Sequence, residues 1–197
     1  VELVDLFPTA VGVTKLGRDL TAEESKFLLG QEFVRDEINS KNHYVLEDPS
    51  VSRIKLFIMK SADDYLNSVY RPTRPVKLRM TQSWTNKLSR HRTHPPHCHS
   101  NSFISGVFYI KAMKEVDRIT FINMVQKSLI PDIRESSKYN NYYWEIPVDT
   151  GMLLFFPSTL FHAVNPLKHE GPRISLSFNL FPASSMGNED SLTYLNF

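Results

Sequence analysis

The sequence predicts a mainly β protein of the α+β kind, a closed or sandwiched antiparallel sheet preceded by covering helices. Hydrophobic periodicity is helical over the first third of the chain and changes to a period of two from Val76 onward. The β runs then follow one another after that helical lead-in, punctuated by Gly151 and several prolines. Aromatic residues make up 12% of the chain, with 13 Phe and 8 Tyr, a composition that leans toward strands.

The first helix starts at a capping box, Thr21-Ala22-Glu23-Glu24, in which hydroxyl and carboxylate each satisfy an orphan N–H. Phe27, Val34 and Ile38 continue it at helical spacing to an expected end near Asn39. A second helix is expected from about Ser50 to Tyr70, with Ile54, Phe57, Ile58, Tyr65 and Val69 on one face and Arg71-Pro72 as the stop. Leu78, Met80, Gln82 and Trp84 then alternate with Arg79, Thr81 and Ser83, the pattern of a half-buried strand. Further strands are expected over Phe103–Ile110, Arg118–Met124, Tyr142–Val148, Met152–Phe156 and Arg173–Phe181, with a long polar loop from Gln126 to Asn141. Residues 1–197 thus read as one domain, with a helical cover over 1–75, a β core over 76–182 and a C-terminal tail over 183–197.

Composition excludes several classes. At 197 residues, 41% hydrophobic and 22% charged, the chain can bury one good core. A net charge of +2 is too small to argue for nucleic acid. A single cysteine, Cys98, rules out an internal disulfide framework and reads as an ordinary buried thiol of a reducing compartment. The opening Val1-Glu2-Leu3-Val4-Asp5 lacks the basic and apolar regions of a signal peptide, and no run approaches the ~18 apolar residues of a membrane span. A cytoplasmic location is the expectation. From Tyr65 to Lys114 there is no Asp or Glu, while Arg71, Arg74, Lys77, Arg79, Lys87, Arg90, Arg92, Lys111 and Lys114 all fall there. That stretch is either a solvated basic face or a positive approach to a site for an anionic molecule.

The chemistry gathers in His94-Pro95-Pro96-His97-Cys98-His99. Residues two apart on a strand project from the same face, so His97 and His99 can aim both imidazoles at one point. Imidazole suits iron, zinc, copper and nickel, and His162, set among apolar neighbours, is the best third ligand. His43, His91 and His169 read as surface or satisfied core residues. Eleven residues beyond His162, Arg173 and Ser175 share a strand face, where a guanidinium fork and a hydroxyl make a receptor for a carboxylate.

The order H-x-H, downstream His and R-x-S resembles the iron(II)/2-oxoglutarate-dependent dioxygenases, whose usual pattern is H-x-D/E…H…R-x-S. The chain is similar to the small 2OG-Fe(II) oxygenases of bacteria and phages through Leu6-Phe7-Pro8-Thr9, Trp84-Thr85-Asn86, His97 to Ser102, Ser105 to Tyr109, Phe155 to Ser158 and Arg173 to Asn179. The resemblance implies a double-stranded β-helix, a jelly-roll or cupin-like barrel. It implies iron(II), with 2-oxoglutarate and dioxygen as co-substrates, and hydroxylation of a small molecule or peptide with release of succinate and carbon dioxide. It makes His97 and His162 metal ligands and pairs Arg173 and Ser175 with the distal carboxylate of 2-oxoglutarate. Tyr109 and Asn86 join the co-substrate pocket, and Trp84 reads as core. The Arg173 strand is then expected beside the one reaching His162.

His99 stands where the family has Asp or Glu, and is either a third imidazole ligand or no ligand at all. Two rival functions use the same residues: a three-histidine zinc hydrolase or lyase, and a non-catalytic jelly-roll module that binds a small ligand. No membrane partner and no strong nucleic-acid signal are expected, and an oligomer is compatible with the sequence.

Overall fold

Two antiparallel sheets face each other, and the helices lie on the outer side of the larger one. The computed structural model describes residues 1–34, 38–125, 129 and 131–197. The strands are β1 (Gly12–Lys15), β2 (Leu78–Leu88), β3 (His94–His97), β4 (Ile104–Lys111), β5 (Arg118–Ile122), β6 (Tyr143–Pro147), β7 (Met152–Pro157), β8 (His162–Val164) and β9 (Arg173–Pro182). The larger sheet has the order β1-β7-β4-β9-β2 and the smaller β3-β8-β5-β6. Val107, Tyr109, Leu154 and Phe156 from the larger sheet meet Ile119 and Phe121 from the smaller in one buried cluster. The opposite parity of the larger sheet, including Phe108, Phe155, Leu176, Phe178 and Leu180, packs under helix α2 (Ser52–Tyr70) through Ile54, Ile58, Ala62, Tyr65 and Leu66. Alternation along β4, β7 and β9 therefore separates a cleft face from a helix face.

The first helix is shorter than its periodicity suggests. α1 covers Ala22–Leu29, with the Thr21–Glu24 capping box formed and Gly30 as its cap. Residues 35–37, within the expected extension to Asn39, lie outside the described residues. Beyond them the backbone is used differently: the Ser40 N–H donates to Thr85 O at 2.8 Å, and the Lys87 N–H donates to Ile38 O at 2.9 Å. β2 is an edge strand, and this segment satisfies its free backbone groups, a tertiary demand that outweighs helical propensity. The expected loop over Gln126–Asn141 falls partly outside the described residues, and 131–141 contains no helix or strand.

A β-bulge corrects the expected face of β2. The register against β9 slips between Met80 and Gln82. Met80 and Leu78 pack toward the helix cluster, whereas Trp84, Asn86 and Leu88 turn into the cleft. One inserted residue changes the parity of the strand.

Candidate metal and carboxylate site

His97 closes β3 and pairs with His162, the first residue of β8. His99 is not a strand-mate of His97, contrary to the sequence expectation, because β3 ends at His97. It sits in the turn that follows, fixed by its N–H donating to Ser158 O at 2.8 Å. The turn nevertheless brings the third ring in: His97, His99 and His162 each place one ring nitrogen within 4.8 Å of the others.

The second nitrogen of each ring is engaged. Nδ1 of His97 donates to Pro95 O at 2.8 Å, Nδ1 of His162 to Leu160 O at 3.0 Å, and Nδ1 of His99 to Asn179 Oδ1 at 2.6 Å. Each acceptor is an oxygen, so each ring carries a proton on Nδ1, and in the neutral form that leaves the lone pair on Nε2, the tautomer a metal ligand needs. Burial first, and then the neighbouring histidines His97, His99 and His94, push His162 down to about 3. Burial also lowers His99, assisted by His97 and opposed by Asn179. Neutral rings are the binding form.

A serine network backs the His99 partner. Ser105 Oγ donates to Asn179 Oδ1 at 2.8 Å and lies 2.8 Å from Ser158 Oγ, which donates to Ser102 Oγ at 2.8 Å. Sequence reasoning missed Asn179 and Ser105 as site residues. Parity was the available signal: Asn179 shares its strand face with Arg173 and Ser175, and Ser105 shares its face with Tyr109.

Deeper in the same cleft, Arg173 is 4% exposed and Ser175 5%. Arg173 lies across the cleft from His162, in the opposite sheet, because β9 is flanked by β4 and β2 rather than by β8. Its NH1 donates to Arg118 O at 2.7 Å, and its guanidinium lies 5.3 Å from the centre of the Tyr109 ring. Among the described residues it pairs with no carboxylate. The Tyr109 hydroxyl and Asn86 Oδ1 are buried without hydrogen-bond partners among the described residues, while Asn86 Nδ2 donates to Ser177 Oγ at 2.7 Å. Trp84 is a half-buried wall of the cleft, its ring 5.8 Å from His99, rather than a core residue. Cys98 is half-buried rather than buried.

A larger groove of about 850 Å³ runs past His94, along Thr120 and Glu145 of the smaller sheet and past Asn165 just beyond β8. None of the three convergent histidines lines it, so the chemistry belongs to the inner cleft.

Two facing antiparallel sheets bring three convergent imidazoles and a buried arginine into one cleft, a donor set that could hold a transition metal. Residues 82–179 match the family model described as "Putative 2OG-Fe(II) oxygenase". The chain belongs to the iron(II)/2-oxoglutarate-dependent oxygenases, and membership brings iron(II), 2-oxoglutarate and dioxygen as cofactor and co-substrates. A search of proteins of curated function found no match.

Solved structures share the fold. The epimerase SnoN from nogalamycin biosynthesis, described as a non-heme alpha ketoglutarate dependent enzyme, is 15% identical, with a TM-score of 0.62 over 91% of this chain and 79% of its own. HygX from Streptomyces hygroscopicus, solved with nickel, 2-oxoglutarate and hygromycin B, is 15% identical, with a TM-score of 0.56 over 88% and 83%. An oxidoreductase of the 2OG-Fe(II) oxygenase family from Burkholderia pseudomallei is 9% identical, with a TM-score of 0.57 over 86% and 84%. Among the described residues no helix is long and apolar enough to cross a membrane.

Proposed function

We propose that this chain is a dioxygenase in which His97, His99 and His162 hold iron(II) and Arg173 receives the distal carboxylate of 2-oxoglutarate. The single observation that carries the reading is the buried guanidinium of Arg173, which pairs with no carboxylate among the described residues and lies in the same cleft as the three imidazoles. A buried cation without an anionic partner is strongly destabilising, and a dicarboxylate ligand would supply that partner. The orphaned Tyr109 hydroxyl beside it would donate to the same carboxylate, with Ser175 and Asn86 completing the pocket. A zinc hydrolase has no use for this arginine.

The donor set fits the metal. Three neutral imidazoles with outward-bonded Nδ1 atoms present three Nε2 lone pairs and leave further positions for a chelating 2-oxo acid and dioxygen. His99 in place of a carboxylate leaves the metal one unit more positive than in the usual family triad. When bound, iron and its co-substrates supply oxidation of a substrate C–H bond coupled to conversion of 2-oxoglutarate to succinate and carbon dioxide. The protein's own residues orient: Asn179 and the two backbone carbonyls aim the rings, and Phe156 and Phe121 wall His162 from water.

The inner cleft encloses about 40 Å³, well below the ~300 Å³ or more of a typical small-ligand site. Binding of a five-carbon diacid must draw its walls apart. The prime substrate is proposed as a small molecule or peptide, in keeping with neighbours solved with hygromycin B or with a nogalamycin compound.

Protein purified anaerobically and supplied with iron(II) and 2-oxoglutarate should consume oxygen and form succinate, and a substrate panel should raise that rate. Zinc bound in place of iron, with no 2-oxoglutarate turnover, would refute the proposal.

A further inference from the structure

We propose that His94 is a further co-substrate-binding residue, its imidazole donating a hydrogen bond to the metal-end carboxylate of the bound 2-oxo acid. This rests on the preceding reading of the three histidines and Arg173. On a regular strand, residues three apart face opposite sides. His94 and His97 are three apart, yet their rings pack together, with centroids 4.1 Å apart and planes tilted by 33°. The cause is a register shift in β3, where His94 pairs with Val164 and His97 with His162, so three steps on one strand match two on the other. Bulges are concentrated beside active sites, where they re-aim a side chain, and this one turns a fourth histidine into the cleft.

His94 differs from the three convergent histidines in one respect. Their Nδ1 atoms are bonded to fixed oxygens, whereas Nδ1 of His94 is buried with no hydrogen-bond partner among the described residues. A buried polar nitrogen left unpaired is destabilising in the free protein and is satisfied when a ligand brings an acceptor. Its location says which acceptor. The cleft runs from the three histidines to Arg173. A 2-oxo acid held at both ends would have its reacting carboxylate at the three histidines, and the His94 ring packs against that of His97. Arg173 recognises one end of the diacid and His94 the other.

The test uses cobalt(II)-loaded protein, which reports on the metal through its visible spectrum without turning over. Calorimetric titration with 2-oxoglutarate should show His94→Ala and His94→Phe binding about tenfold to a hundredfold more weakly than wild type. Cobalt stoichiometry should be unchanged. His94→Phe keeps a ring packed against His97 without a donor, and His94→Gln, which restores an amide N–H, should recover part of the affinity. At saturating 2-oxoglutarate the visible spectrum should shift in the Ala and Phe variants and not in Arg173→Ala.

Unchanged affinity would overturn the inference. So would loss of cobalt from both variants, which makes His94 a ligand, or weaker binding with no spectral shift, which places its contact away from the metal end. Collapse of both variants by circular dichroism would assign His94 to packing and overturn it as well. If wild-type protein binds no 2-oxoglutarate, the proposed function fails together with this inference. If Arg173→Ala weakens binding and the His94 variants do not, this inference alone fails.

Discussion

Nδ1 of His99 donates to Asn179 Oδ1 at 2.6 Å, and Ser105 Oγ donates to the same oxygen at 2.8 Å. This contact presents the Nε2 lone pair of the ring that stands where the family has a carboxylate, and so favours His99 as a ligand. Asn179→Ala should weaken metal binding about 10–100-fold, the usual effect of removing a partner that orients a ligating imidazole. His99→Ala should weaken it further, and His99→Asp should recover part by supplying an oxygen donor. Calorimetric titration with nickel(II) measures this. Unchanged affinity in His99→Ala would leave His97 and His162 as the only protein ligands.

Arg173→Ala should weaken 2-oxoglutarate binding by about 2–5 kcal/mol, since a carboxylate would lie in the cleft without its charged partner. That is roughly thirty-fold to several-thousand-fold. Arg173→Lys should restore only part, because an ammonium cannot form the two-pronged contact. Metal content should hold steady in both. Titration with 2-oxoglutarate under anaerobic iron(II) decides it, and equal affinity in wild type and Arg173→Ala would remove the basis for the carboxylate assignment.

How much of this was legible beforehand follows from which forces are local. The capping box at Thr21, the stripe of α2 and the alternation of β9 are set by neighbours in sequence, and they were readable. The strands β1, β3 and β8 have four, four and three residues, too short for a period to register. The bulges in β2 and β3 reverse parity through pairing with distant strands, so the turn of Trp84 and His94 into the cleft is not set by local spacing. His97, His99 and His162 do come together, although a turn rather than a shared strand face supplies His99.

Gly106 offers a stability test away from the chemistry. A Cβ built there would lie 2.3 Å from Phe178 Cζ and 2.7 Å from Leu154 O. Phe178 is fully buried beneath α2 and cannot retreat without disturbing the core. Gly106→Ala should destabilise the protein by about 1–3 kcal/mol, the range for overpacking a close-packed interior. Urea unfolding measures it, and a stability within error of wild type would show that the helix face of the larger sheet is loosely packed.

His169, which the sequence reads as a surface or satisfied core residue, is hydrogen-bonded through both ring nitrogens and carries a pH signature. Nδ1 donates to Glu170 O at 3.0 Å and Nε2 to Asp117 Oδ1 at 3.0 Å, joining the loop before β9 to the connection between β4 and β5. Only an imidazolium has both N–H groups. The Glu170 carbonyl first, and then Asp117, raise the pKa of His169 above its ordinary 6.5, against burial and the nearby Arg173. A raised folded-state pKa gives stabilisation that is fully present below the unfolded value and lost as pH rises through the folded one. Burial lowers His94, His99 and His162, which act in the opposite direction: their contribution falls as pH drops below about 6.5 toward their folded values. The wild-type curve alone therefore mixes both effects, and the informative quantity is the difference from His169→Gln. Urea unfolding at pH 5.5 and at pH 8.5 should show wild type exceeding His169→Gln by more at the lower pH. A difference that is constant between the two, or larger at pH 8.5, would show that His169 is not held as the imidazolium and that its bond to Asp117 is made by the neutral ring.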